Sequence, residues 1–380
     1  MKTVIVHDWL AASGGAELVL EQLLQCYPDA NIFTLVDVMP PAERGFLQGR
    51  KITTSFIQRL PGVQRHFRHF LPLMPRAIEA LDVSQYDLVI SSSWAFAKGV
   101  KVRPDQTHVS YVHTPIRYAW DQQELYLQQA VSLEPLRKLA RFFLAGLRRW
   151  DIKTAGRGGQ LVANSHFIAE RIAQCWQRES RVLNPPVALD DFTCTEIKED
   201  FYVTVSRLVH YKAVEVLIQA FNAMPGKRLV VIGDGPLFKK LEAMAGPNVT
   251  LLGYQSREVV VGYLQRARAF VFAAHEDFGI VAVEAQACGT PVIAYGVGGV
   301  LDSVIPYTGS DPVDAGYSPT GLFFDQQTAD SVMAAVERFE TLPDAISSQA
   351  CAANAARFSP GHFRHEFMAI VEQAMDNSAA

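Results

Sequence analysis

Strand-like runs and helical patterns alternate along this chain in two successive series, and no other feature limits its fold so tightly. The first series opens with KTVIVHD, a loop ASGG and then AELVLEQLLQCY, whose apolar residues recur at helical spacing. YDLVISS (86–92), THVSYVH (107–113) and GQLVANS (159–165) follow as strands, with helical patterns between them. NPPVALDDF (184–192) breaks the series, because Pro185 and Pro186 oppose helix and two acids come after them. A second series then begins with the strand FYVTVS (201–206), the helix VEVLIQAFNAM and the strand RLVVIG (228–233), which turns at GDGP. VTLLG, RAFVFAA and TPVIAY continue it as strands. Such alternation predicts parallel α/β sheets. Two Rossmann-like halves joined near residue 186 are expected, residues 1–185 and 186–359. Near the end, Phe358-Ser359-Pro360 reads as a helix start, with Ser359 as N-cap and Pro360 at the first helical position.

Composition fits that division. A chain of 380 residues is too long for one core, and 49% hydrophobic against 19% charged residues is a globular mixture. No apolar run approaches the ~20 residues of a membrane helix. The N-terminus has no basic region leading into a long apolar stretch, so no signal peptide is expected. Cys26, Cys175, Cys194, Cys288 and Cys351 lack C-x-x-C spacing, which argues against a zinc site or a disulfide framework and fits a reducing compartment. The net charge of −4 hides an asymmetry. Residues 1–185 carry 22 Lys and Arg against 16 Asp and Glu, and the remainder 13 against 23. Only the first half is suited to an anionic partner.

In parallel sheets ligands bind beyond the carboxyl ends of strands, where helix N-termini present free N–H groups. Ser13-Gly14-Gly15 follows the first strand, and its glycines let backbone approach an anion. The spacing is not G-x-G-x-x-G, and a plain tight turn accounts for the same residues. In VSRLVHYK, Arg207 and Lys212 follow a strand end and are suited to clamp a diphosphate, although a solvated loop pair is the simpler account. HEDFG lies between the strand AFVFAA and a helix starting near Gly279. The first amides there, from Phe278 to Ile280, suit an oxygen-rich ligand. Glu284 lies one turn beyond Ile280 and leans back toward whatever those amides hold. Its carboxylate matches the vicinal hydroxyls of a ribose, and Glu276 in the turn would meet another part of the same ligand. The apolar Ile280, Val281, Val283 and Ala287 imply that Glu284 is buried. His113 ends a strand before Thr114-Pro115, and His7 and Asp8 end another. There is no D-x-D pair, His/Cys cluster, P-loop or G-x-S-x-G elbow, so neither a metal nor a Ser nucleophile is indicated.

With these residues assembled, the chain resembles the retaining family-4 glycosyltransferases of the GT-B fold over nearly its whole length. The resemblance rests on Gly14-Gly15, Ser206-Arg207-Leu208 with Lys212, Gly233-Asp234-Gly235-Pro236, the E-x7-E pair Glu276/Glu284 and PVIAYGVGGVLDSV. HDWL with GGAE, and VSYVHTPIRYAWD, are similar to bacterial mannosyltransferases of O-antigen and exopolysaccharide assembly that use GDP-mannose. The family implies two Rossmann-like domains facing across a deep cleft, with a C-terminal helix (about 360–380) crossing back to the N-terminal acceptor domain. It implies that Arg207 and Lys212 hold the donor diphosphate, with the Gly15 N–H opposite, and that Gly14, Ser206 and Gly233 also bind the donor. Glu284 would take the ribose, Glu276 with the amides of Phe278, Gly279 and Ile280 the sugar, and His113 the region of the anomeric centre. Glu276, His113, Arg207 and Lys212 are thus the expected catalytic set, without metal or cofactor. Many members carry glycine after the lysine; here Ala213 takes its place.

The charge asymmetry then acquires a use. Residues 42–82 hold seven Lys and Arg against three acids, and 137–157 seven against one, with Leu139, Phe142, Phe143, Leu147 and Trp150 interleaved. A basic helix with an apolar face suits an anionic bilayer, although an ordinary amphipathic helix packed on the core has the same pattern. The expected activity is transfer of a hexose, mannose from GDP-mannose, to a polyprenyl-diphosphate-linked saccharide. The expected place is the inner face of the cytoplasmic membrane, with the protein peripherally bound. Nucleic acid is not expected, since no recognition motif accompanies the basic stretches. The alternatives are a GT-B sugar-nucleotide epimerase and a non-catalytic sugar-nucleotide-binding partner.

Overall fold

The computed structural model describes residues 1–380 except 13, 121–122, 124–126, 128–133, 158, 310–317, 343–344 and 380. Ser13 and Asp121 of the stretches quoted above therefore lie outside the described residues. The chain divides into two compact units, Met1–Pro186 with Gly361–Ala380, and Val187–Pro360.

The first unit is built on seven parallel strands, β1 Thr3–His7, β2 Asn31–Thr34, β3 Ile52–Thr54, β4 Leu88–Ser93, β5 Thr107–Val112, β6 Gln160–Ala163 and β7 Arg181–Val182. Their order is β3-β2-β1-β4-β5-β6-β7, so the sheet reverses direction between β1 and β4. Successive residues of a strand face opposite sides, and here both sides are dry. Val4, Val6 and Val89 point into one cluster, and Ile5, Leu88 and Ile90 into another. The second cluster is completed from the far end of the chain. Phe363, Phe367, Ile370 and Val371 of the helix Pro360–Ala379 are buried in it, with Phe363 edge-on to Tyr111 at 5.6 Å.

The second unit has six parallel strands, β8 Tyr202–Val205, β9 Leu229–Ile232, β10 Val249–Gly253, β11 Ala269–Phe272, β12 Val292–Tyr295 and β13 Gly321–Phe324. They run β10-β9-β8-β11-β12-β13, the same doubly wound order, with the reversal between β8 and β11. Tyr202, Val231 and Val271 face one cluster, and Val203, Ile232 and Phe272 the other. The edge strands β3, β7 and β13, and β2 next to β3, are short and are not among the strands expected from sequence. At each reversal two strands diverge and leave a crevice at their carboxyl ends, which is where such sheets bind ligands. His7 and Ser93 end the strands at the first crevice, Val205 and Phe272 at the second.

Candidate active site

At the second crevice β8 runs into a loop from Ser206 to Ala213 that lies against the GDGP turn. Leu208 N–H donates to the Asp234 carbonyl at 2.9 Å, and Leu237 N–H donates to the Leu208 carbonyl at 3.2 Å. Both glycines are required by this contact. A Cβ at Gly235, whose φ is +157°, would stand 2.5 Å from the Leu208 carbonyl oxygen, and one at Gly233 would collide with that of Ser206. The Ser206 hydroxyl is buried and has no hydrogen-bond partner among the described residues. Lys212 closes a 3-10 turn, His210–Lys212, and Ala213 follows at φ +52° and ψ +31°. The loop thus takes the left-handed path that glycine favours, with alanine in place. Lys212 pairs with Glu276 across the crevice, the two side chains only 14% and 18% exposed. Arg207 is exposed and makes no ion pair among the described residues.

Glu276 sits in the turn HEDFG after β11. Its carbonyl accepts from Gly299 N–H at 2.8 Å, and it bridges to Gly298, so the GVGG turn after β12 fixes its backbone. A Cβ on Gly298, at φ +90°, would lie 2.6 Å from the Glu276 carbonyl oxygen. That support was not foreseen as part of the site, although GVGG was visible in the sequence. Gly279, at φ +88°, caps the helix Ile280–Ala287 without any side-chain cap. The amides of Phe278, Gly279 and Ile280 donate to no described residue. They form the open, electropositive end of that helix. Glu284 is 15% exposed along its side chain, with Val283 and Ala287 buried beside it and Ile280 and Val281 half-buried. Burial pushes its carboxyl above the usual range, opposed by Arg257, whose Nη1 is 3.5 Å from Oε1. Arg257 was missed from sequence. Its Nε also donates to Asp191 at 2.7 Å, and its guanidinium lies over Phe192.

At the first crevice the Asp8 carboxylate is fully buried and accepts four backbone N–H groups at 2.6–2.8 Å, from Trp94, Ala95, Phe96 and Ala97. It binds the β4 loop to β1 and has no lone pair to spare for a substrate. Gly14 is extended and precedes the helix Gly15–Cys26, and Gly15 is its first residue. A Cβ at Gly14 would stand 3.2 Å from Glu17 Oε2, so its small size serves Glu17 as well as any ligand. His113 follows β5 and donates its backbone N–H to the Ser93 carbonyl at 2.8 Å. Its Nε2 is 2.9 Å from Ser92 Oγ, and Ser92 Oγ is 3.1 Å from His7 Nδ1. Burial, with His7 adding to it, lowers the His113 pKa to about 3.

The basic helix Glu134–Ala155 divides its apolar residues between two faces. Leu144 and Leu147 are buried in the core, with Phe143 and Trp150 packed against it, as an ordinary amphipathic helix requires. Leu136, Leu139 and Phe142 remain 52–73% exposed on the same helix as Arg137, Lys138 and Arg141. No helix among the described residues is long and apolar enough to cross a membrane. Among the same residues no group of three or more His, Cys, Asp or Glu is placed to hold a metal ion.

Two doubly wound sheets, each with its ligand-suited turns at the strand-order reversal, are the architecture of the GT-B fold. The N-terminal half matches the model described as Glycosyltransferase Family 4 over residues 13–191. The C-terminal half matches Glycosyl transferases group 1 over residues 194–358. The two matches follow one another along the chain and together support a family-4 glycosyltransferase. The D-inositol 3-phosphate glycosyltransferase of Mycobacterium avium (strain 104) is 28% identical over 326 residues, 79% of this chain and 72% of its own. Among solved structures, sucrose-phosphate synthase from Thermosynechococcus elongatus superposes with a TM-score of 0.72 at 19% identity, covering 99% and 100% of the two chains. Anabaena Alr3699/HepE in complex with UDP gives 0.70 at 18% identity, covering 98% and 100%. At these identities the structural likeness is one of fold. None of the three is named as a mannosyltransferase.

Proposed function

We propose that this glycosyltransferase is a retaining hexosyltransferase that moves mannose from GDP-mannose to a polyprenyl-diphosphate-linked saccharide in surface-polysaccharide synthesis. The observation that carries the donor site is the Lys212–Glu276 pair, together with three amides and a Ser206 hydroxyl that have no partner among the described residues. Such a set is suited to a ligand bearing both anionic oxygens and hydroxyls. In this reading Arg207, Lys212, Ser206 and the Gly14, Gly15 and Gly233 turns serve the diphosphate. Glu276, with the amides of Phe278, Gly279 and Ile280, takes the sugar, Glu284 the ribose, and His113 the region of the reacting carbon.

The chemistry asks for little covalent help. The bond from the anomeric carbon to the diphosphate oxygen breaks and one to the acceptor oxygen forms on the same face. The acceptor proton passes to the leaving diphosphate. Lys212 and Arg207 then act by stabilising the charge that gathers on that diphosphate, without a metal ion. The basic helix with exposed Leu136, Leu139 and Phe142 suits an anionic membrane surface, where a lipid-linked acceptor resides.

The first test is a calorimetric titration with GDP, UDP and ADP in EDTA, on wild type and Glu284→Ala. Saturable GDP binding that the variant loses supports both the ribose role and the donor. A second reading, a UDP-sugar donor, is favoured by the Anabaena relative that holds UDP. Preference for UDP in the titration would select it. Binding of none of the three would overturn the donor site as described.

A further inference from the structure

Behind His113 the first unit holds a line of polar side chains, Glu17, His7 and Ser92, to which the donor site gives no role. It runs from Glu17 Oε1 to His7 Nε2 (3.5 Å), from His7 Nδ1 to Ser92 Oγ (3.1 Å), and from Ser92 Oγ to His113 Nε2 (2.9 Å). His7 and Ser92 are fully buried, and Glu17 is 8% exposed. The register of the sheet makes the line possible, because His7 of β1 stands directly beside Ser92 of β4. Both imidazoles are held by aromatic neighbours. Trp94 lies edge-on to His7 at 4.8 Å and to His113 at 5.8 Å, and Tyr111 edge-on to His113 at 5.2 Å. His7 Nε2 has no hydrogen-bond partner among the described residues, and the Glu17 carboxylate faces it at 3.5 Å.

Hydrogen bookkeeping gives the line a direction. A carboxylate only accepts, a neutral imidazole has one N–H and one bare nitrogen, and a serine hydroxyl has one hydrogen to give. Facing Glu17, a neutral His7 keeps its hydrogen on Nε2 and turns a bare Nδ1 to Ser92. Ser92 then donates to His7 and accepts from His113. The opposite polarity would set the bare Nε2 of His7 against a carboxylate in a dry site, an unfavourable meeting of two acceptors. We propose that Glu17, acting through His7 and Ser92, is a positioning residue that fixes His113 as the Nε2–H tautomer and leaves Nδ1 bare to accept a ligand hydroxyl. The choice of tautomer matters because burial keeps His113 neutral. Gly14 belongs to the same device, since a side chain there would press on the Glu17 carboxylate. Only the hydroxyl that Nδ1 meets, on the donor sugar, rests on the transferase reading above.

The test reads the tautomer directly. Full-length protein labelled with nitrogen-15 histidine is examined by multiple-bond proton–nitrogen NMR at about pH 8, above the ordinary imidazole range. The His113 signals are assigned by their loss in His113→Gln. Wild type should show Nε2–H. Glu17→Gln, whose amide offers His7 either a donor or an acceptor, should mix the tautomers, and so should Ser92→Ala, which cuts the line elsewhere. In a transfer assay Glu17→Gln should lower kcat about tenfold, the worth of one misdirected hydrogen bond, with little change in the donor KM. Nδ1–H in wild type overturns the proposal. So does an unchanged tautomer in both folded variants, even if kcat falls, because Glu17 would then merely support the fold. The spectra need no donor, so they remain decisive if the transferase reading fails.

Discussion

Ala213 holds a backbone conformation that costs an L-residue about 1–2 kcal/mol, and it does so next to the lysine that meets Glu276. Ala213→Gly is expected to relieve that strain, reduced by the greater freedom glycine has when unfolded. The net gain should be about 0.5–1 kcal/mol, read as a higher urea midpoint with an unchanged m-value. A lower midpoint would mean the loop is not left-handed there. His113 supplies a second residue-level expectation. Its pKa lies near 3 when folded, against an ordinary 6.5, so the unfolded chain binds the extra proton first. Its contribution therefore costs stability as pH falls through that window, and its ring signals should not titrate between pH 8 and 5. Candidate residues held by a single local element were legible in the sequence, as to their place in the fold. Lys212, Glu276 and Glu284 lie in single turns or helix starts whose geometry follows from spacing. His7, Ser92 and His113 form a set only because β1, β4 and β5 lie side by side, and Arg257 reaches Glu284 from a different helix.

Among elements, the helix Ile280–Ala287 would, on the function proposed above, carry a conflict between stability and ligand binding. Its Glu284 carboxyl has a raised pKa, so the protonated form suits the folded chain better. That contribution is present at low pH and lost as pH rises through the raised value. Glu284→Gln should then melt no lower, and by about 0.5–2 kcal/mol higher, at neutral pH without ligand, while nucleotide affinity falls. Calorimetry and titration on one sample separate the two effects. The helix Glu134–Ala155 presents a different case. Its Asp151 is fully buried, pairs with Lys98 at 2.5 Å and accepts Nε1–H from both Trp120 and Trp176 at 2.8 Å. Asp151→Ala would strand a buried ammonium and two indoles, at a cost of about 3–5 kcal/mol by thermal or urea unfolding. On the outward face, Leu139→Ser with Phe142→Ser should weaken sedimentation with anionic vesicles and leave the melting temperature unchanged. Unaltered sedimentation would remove this helix from the membrane reading. The periodicity of this stretch was plain in the sequence. Its division into a core face and an exposed row was not, because both faces carry apolar side chains between arginines.

For the whole molecule, the doubly wound order repeats in both units, and the alternation of strands and helices announced it. The edge strands escaped because short, half-polar runs such as Arg181–Val182 gain their pairing from neighbours already in the sheet. The last helix gives the clearest prediction at this scale. Removing residues 361–380 would expose the pocket of Phe363, Phe367, Ile370 and Val371, each side chain worth about 1.5–3 kcal/mol of burial. A sum of that size rivals the stability of an ordinary domain. The first unit should then lose its cooperative transition in calorimetry, while the transition of the second persists.

That helix also bears on the order of events at the ribosome. Domains usually fold as they emerge, the N-terminal one first. Here the unit that begins the chain lacks part of its core until residues 363–371 have been made, after the whole of the second unit. The unit translated first is therefore finished last. During synthesis its apolar face must wait, through the making of residues 187–360, for the segment that covers it.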